Sequence, residues 1–158
     1  MPITELDLAE ARKAWGDALV AISTAFAEGG IEAARSVAGE ILDTAYGYDL
    51  GPVLFKPTLA SGDQTFRPTR DGALAYFVGH DTAYPRDGGF GIKGWVEVKS
   101  ETAAHFIEGD VGMWQGNIDC IDRDGNVTRV DKTFGYKKVA AGTLKIVLHH
   151  SSLPYQPA

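Results

Sequence analysis

The chain has a single cysteine, Cys120, in 158 residues. No intrachain disulfide can form, and the common cysteine-rich zinc sites cannot be assembled. It has no Lys/Arg-rich run, and 21 acidic residues outweigh 15 basic ones for a formal net charge of -6. That balance argues against nucleic acid or an anionic membrane surface as a partner, because both call for a basic patch. No apolar run approaches the length of a transmembrane span. The opening MPITELDLAEARKAW is acidic and amphipathic where an export signal would begin basic and continue apolar. The expectation is a cytoplasmic protein, a cleaved export signal being the alternative.

What is present suits a globular chain. Hydrophobic residues make up 44% and charged residues 23%, which speaks against disorder, and the length supports a core without a disulfide or a structural metal. Leu8, Ala11, Trp15, Ala18, Leu19, Ile22 and Phe26 recur at steps of three and four, which predicts a helix with one apolar stripe. Thr4 and Asp7 suit its N-terminal cap, and Gly29-Gly30 its end. A second stripe runs through Ile31, Ala34, Val37, Ala38, Ile41, Ala45 and Tyr48 up to Gly51-Pro52. The near-repeat LFKPT (54–58) and TFRPT (65–69) places Pro57 and Pro68 at edge strands or strand ends, since proline cannot donate to a sheet ladder. Thr69 then caps a short third helix, RDGALAYFVG, and HDTAYPRDGGFGIKG reads as a long loop.

From Trp95 the period changes to two. Strands are predicted near 93–99, 102–108, 110–121, 127–138 and 143–150, with turns at Ser100-Glu101, Gly109-Asp110, Asp124-Gly125 and Ala141-Gly142. Helices followed by a meander give an α+β class in one domain, residues 1–158, with the helices on one face of a mainly antiparallel sheet. Alternation assigns faces. Leu144, Ile146, Leu148 and His150 share one side of the last strand; Lys145, Val147, His149 and Ser151 share the other. The adjacent histidines therefore point apart, which disfavours a metal shared between them. Val130, Phe134 and Tyr136 are read as facing the helices together with Ile146 and Leu148. In residues 110–121 the Trp114, Ile118 and Cys120 set is taken as inward, with Gln115, Asn117 and Asp119 outward.

The strands DVGMWQGNIDCIDRDGN and DKTFGYKKV, the closing LKIVLHHSSLP, and the segments VLFKPTLASGDQTFRPT and YPRDGGFGIKGW together resemble the NTF2-like, or SnoaL-like, superfamily. The branch most similar is the bacterial proteins like the association domain of calcium/calmodulin-dependent protein kinase II. The resemblance implies a cone, in which N-terminal helices pack in the concave face of a strongly curved sheet around a pocket. It also implies a homodimer or higher oligomer formed through the sheet. The pocket arginines of the kinase domain match positions near Ile118, Phe134 and Ser151, and none of these is arginine.

These readings lead to an uncharacterised domain that binds a small, largely apolar ligand or mediates assembly, without a cofactor or metal. Trp114, Ile118, Phe134, Tyr136 and Leu148 would border the pocket, with His150 as its polar anchor. The competing expectation is an isomerase, dehydratase or cyclase acting on an apolar cyclic molecule, with His150 as acid or base. Asp119 and Asp131 are weaker candidate bases because both fall on the outward face. Lys56 and Arg67 are read as solvated edge charges, DRDGN as a hairpin turn rather than a calcium loop, and Cys120 as a small buried apolar residue.

Overall fold

The computed structural model describes residues 2–158. The first element, α1 (Glu5–Ala45), is two helices joined at a kink. Thr4 caps it through a reciprocal pair of hydrogen bonds with Asp7, satisfying backbone donors that the first turn leaves free. Gly30 breaks it with φ 75° and ψ -165°, a conformation open to a residue without a Cβ. The predicted boundary at Gly29-Gly30 is therefore real, although the chain resumes its helix at once. A short strand β1 (Leu54–Lys56) and the helix α2 (Arg70–Val78), capped by Thr69 and ended at Gly79, follow as expected.

The meander consists of β2 (Trp95–Glu108), β3 (Val111–Asp122), β4 (Val127–Lys138) and β5 (Leu144–Ser152). The sheet order is β1-β5-β4-β3-β2, antiparallel except where β1 runs parallel to β5. The expected turn at Ser100-Glu101 does not exist: β2 is one strand, pairing Ser100 with Ile118 and Glu101 with Asn117. Two register shifts, between Trp95 and Glu97 and between Thr102 and Ala104, take up the irregularity that periodicity alone reads as a break. The DRDGN turn forms, with Asp122 Oδ1 accepting from the backbone N–H groups of Asp124 and Asn126.

α1 lies along the inner face of the sheet and α2 packs against α1. Trp15, Leu19, Leu42, Trp114, Ile118, Val130, Phe134, Tyr136 and Ile146 form the buried core between the layers. Among the described residues no helix is long and apolar enough to cross a membrane.

One local feature reverses an expectation. Gly135 pairs with Leu148 and Tyr136 with Ile146, so β5 carries an extra residue, Val147, opposite the Gly135-Tyr136 step. Such a bulge restarts the alternation. Ile146 faces inward, and beyond the bulge His149 and Ser151 do so, being 2% and 0% exposed. Leu148 is half-buried and His150 exposed, on the outer face. The assignment of Leu148 and His150 to the Ile146 side is thus corrected: it assumed an unbroken strand.

Candidate functional site

The inward row at the β1-β5-β4 end of the sheet contains three buried polar side chains, Lys132, His149 and Ser151. Register places Phe55 beside His149 and His149 beside Phe134, so the imidazole sits between two aromatic rings on neighbouring strands. Its ring centre lies 4.4 Å from Phe55, nearly parallel, and 4.7 Å from Phe134, with Trp15 of α1 edge-on at 5.6 Å. Both ring nitrogens are engaged. Nδ1 is 2.9 Å from the hydroxyl of Tyr46, which also accepts the indole N–H of Trp15 at 3.0 Å. Nε2 is 2.9 Å from Nζ of Lys132.

Lys132 is 4% exposed and has no acidic partner among the described residues. Its Nζ instead lies 4.0 Å from the ring centre of Trp15 and 5.5 Å from that of Phe134, within cation–π range. Burial disfavours the ammonium form and pulls the Lys132 amine down to about 7, against which the Cys120 thiol acts weakly. Burial, with Lys132 as the nearest cation, holds His149 well below the usual histidine value, so its imidazole is neutral.

A second polar group adjoins this one. Ser151, the cross-strand partner of Lys132, places its Oγ 2.6 Å from Oγ1 of Thr58, on the loop that leaves β1. Tyr76 of α2 accepts the backbone N–H of Leu59 at 3.1 Å and hydrogen-bonds to the Thr58 side chain. Lys56 donates to the Ser151 carbonyl at 2.9 Å. Three hydroxyls from three separate elements thus converge beside a neutral imidazole and a lysine. The burial that gathers them raises the Tyr76 hydroxyl to about 12. Such a set offers several hydrogen bonds to a small oxygen-rich molecule and aromatic walls to an apolar one.

Among the described residues no group of three or more His, Cys, Asp or Glu side chains could hold a metal ion. A cavity of about 600 Å³ lies beside the cluster, between the end of α1 and the start of α2, and shares Tyr46 with it.

Of the pocket residues expected from sequence, Trp114, Ile118, Phe134 and Tyr136 are brought together on the inner face, with Trp114 and Phe134 6.2 Å apart and Phe134 and Tyr136 5.6 Å apart. His150 instead borders a groove of about 320 Å³ on the outer face with Gln115, Asn117, Asp131 and Thr133. Asp119 also faces out and binds Arg129. Arg67 departs from its expected place as a solvated edge charge. It is 2% exposed and makes a two-pronged ion pair with Asp87, at 2.7 and 2.8 Å. Folding of the TFRPT segment across Phe55, whose carbonyl accepts the Arg67 N–H, turns the guanidinium inward.

Lys132, Thr58, Tyr76 and Ser151 are not among the site residues expected from sequence, and the inner face that the expectation gives to His150 belongs to His149. For Lys132 a signal was present, because it falls in the row Val130, Lys132, Phe134 and Tyr136, every second residue of a strand whose other members face inward. Thr58 and Tyr76 meet Ser151 only through tertiary closure.

Residues 6–153 match the family model described as MICAH: Metal-independent carbonic anhydrase. The chain belongs to this family. A metal-independent carbonic anhydrase from Nostoc sp. (strain PCC 7120 / SAG 25.82 / UTEX 2576) is 51% identical over 154 residues, covering 98% of this chain and 75% of that protein. The iota-carbonic anhydrase from a cyanobacterium, solved in complex with bicarbonate, superposes with a TM-score of 0.97 at 51% identity, covering 99% of this chain and 95% of that one. A calcium/calmodulin-dependent protein kinase II association domain protein from Xanthomonas campestris shares the fold at TM-score 0.57 and 18% identity, covering 95% and 87%. Together with other NTF2-like structures it shows that this member of the metal-independent carbonic anhydrase family has the NTF2-like fold. Family membership overturns both functional expectations from sequence, the uncharacterised apolar-ligand domain and the isomerase, dehydratase or cyclase built on His150.

Proposed function

We propose that this protein interconverts carbon dioxide and bicarbonate without a metal, using the Thr58, Tyr76 and Ser151 hydroxyls beside His149. The observation that carries the reading is the superposition on the bicarbonate complex along nearly the whole chain, at half-identity in sequence. The local chemistry agrees with it. Zinc carbonic anhydrases acidify a bound water through the metal. Here both nitrogens of the buried imidazole are committed to Tyr46 and Lys132, and no further histidine joins it.

Hydration without a metal needs three things from the protein. Carbon dioxide must leave water, and Phe55, Phe134 and Trp15 supply an apolar, aromatic surround. The charge that develops on the carboxylate oxygens must meet hydrogen-bond donors fixed in advance, a role suited to the three hydroxyls. The attacking water must lose a proton as its oxygen bonds to carbon, and a neutral imidazole–amine pair is a base available at neutral pH.

The chain is read as one domain over residues 1–158, acting as a homodimer through the outer face of the sheet. The test is oxygen-18 exchange between carbon dioxide and water after dialysis against a strong chelator. Undiminished exchange, lowered about a hundredfold in Ser151→Ala, supports the reading. Exchange no faster than buffer ends it.

A further inference from the structure

We infer that Lys132 is a proton acceptor that works through His149: it stores the proton that carbon dioxide hydration releases, and so sets the His149 tautomer and the direction of the Tyr46 hydroxyl. The source of the proton rests on the functional reading above; the hydrogen-bonded chain does not.

Two arrangements of the Lys132, His149 and Tyr46 contacts, each 2.9 Å long, leave neither the amine lone pair nor a ring nitrogen unused. With a neutral amine, Nε2–H donates to Nζ and Nδ1 accepts from the Tyr46 hydroxyl. With an ammonium, Nζ donates to Nε2 and the imidazole must carry its proton on Nδ1, donating to Tyr46. The Tyr46 oxygen already accepts from Trp15 Nε1. Once it accepts from Nδ1 as well, its own proton must turn elsewhere. The two arrangements differ by one proton and by the sense of every bond between Lys132 and Tyr46.

Hydration forms a bond between water oxygen and carbon and releases one proton, CO2 + H2O giving HCO3- and H+. That proton reaches the Tyr46 oxygen from the attacking water, directly or across one bridging water. The tyrosine passes its original proton to Nδ1, and Nε2–H passes to the Lys132 amine, which becomes ammonium. The imidazole stays neutral throughout. The store discharges by the reverse path through Tyr46, which lines the cavity of about 600 Å³ shared with Tyr48, Asp43 and Asp49.

Nothing acidic pins the ammonium. The titratable groups coupled to the pair are Cys120 from β3, Tyr46 at the end of α1 and, from the opposite side of β5, His150; Tyr48, Tyr76 and Tyr136 surround Tyr46. None is a carboxylate. A lysine whose role was to pack or to hold an ion pair would have its charge compensated; this one has an imidazole and two aromatic faces.

The test reads the His149 ring by nitrogen-15 NMR in the full-length protein, its signals assigned by difference from His149→Asn. The expected result is an Nε2–H tautomer at about pH 9 and an Nδ1–H tautomer at about pH 5.5. Lys132→Met should then show one tautomer across that range, bind bicarbonate within about twofold of the parent by carbon-13 titration, and hydrate carbon dioxide about tenfold slower or worse without the parent's pH profile. A parent tautomer that stays constant with pH overturns the inference, as does a Lys132→Met protein with unchanged turnover and profile. The parent titration needs no variant, so misfolding of Lys132→Met leaves the inference falsifiable. A parent that inverts its tautomer yet hydrates no carbon dioxide supports the chain and removes only the functional reading.

Discussion

A lysine amine enclosed by indole and phenyl rings makes stability depend on pH. The Lys132 amine titrates at about 7 in the folded protein and at its ordinary 10.5 when unfolded. Between those values the unfolded chain holds more protons, so unfolding free energy rises with pH. The slope approaches about 1.4 kcal/mol per pH unit above pH 7. From about pH 9 Cys120 opposes it, because the buried thiol is raised from 9.0 to about 11 and the unfolded thiol ionises first. Urea midpoints should therefore climb from pH 7 to 9 in the parent and stay flat in Lys132→Met, which should be the more stable protein at pH 7. Equal slopes for the two would show that the amine is not desolvated. At the hydroxyl cluster, Thr58→Val leaves Ser151 Oγ without the partner 2.6 Å away, a loss of about 1–3 kcal/mol with weakened bicarbonate binding, read by thermal melting and carbon-13 titration. Lys132 was legible at this scale, standing in an inward row of β4. The histidine was not, because His149 and His150 exchange faces at an inserted residue whose presence no local motif announces.

That insertion belongs to the strand pair rather than to either residue. Val147 is accommodated because Gly135 faces Leu148 with no side chain of its own; a Cβ on Gly135 would stand 2.8 Å from the Leu148 Cβ. Gly135→Ala should destabilise the fold by about 1–3 kcal/mol through overpacking and loosen the step that turns His149 inward. The measurement is the urea midpoint together with the His149 nitrogen shifts. A full-stability variant with unchanged shifts would mean that β5 holds its register without the glycine. Periodicity served well where one rule governed a whole element: the α1 stripes, the Gly30 break, α2 and the inward set of β3 follow from the sequence as read. It misjudged β2, splitting one strand at Ser100-Glu101, and β5, because in both the ladder slips by a residue while the apolar and polar pattern continues nearly unchanged. Hydrogen bonding to a neighbouring strand decides such slips, and the neighbour is remote in sequence.

Across the whole molecule the sheet is covered on one side only. The helices hide the inner face, while Phe106, Val111 and Met113 remain 60%, 39% and 38% exposed on the outer one. This face is where the proposed homodimer would form, and a symmetric interface brings each residue near its own copy or that of a close neighbour. Gln115 and Thr133 pair across β3 and β4 near its middle, joined by a hydrogen bond of 2.9 Å. Arginine at both positions would set four added cations in one contact, more than the single Asp131 beside each pair can neutralise, and should leave a folded monomer whose sedimentation coefficient does not change with concentration. A dimer that survives both substitutions moves the interface elsewhere. The same variant also probes the site. Thr133 lies between the inward Lys132 and Phe134, and His150 between His149 and Ser151, so one pair of strands presents the proton-holding side chains on one face and the proposed contact on the other. If the partner holds this ladder to its register, the monomer should lose hydration rate more than it loses stability; if the core alone holds it, the rate per subunit should not change.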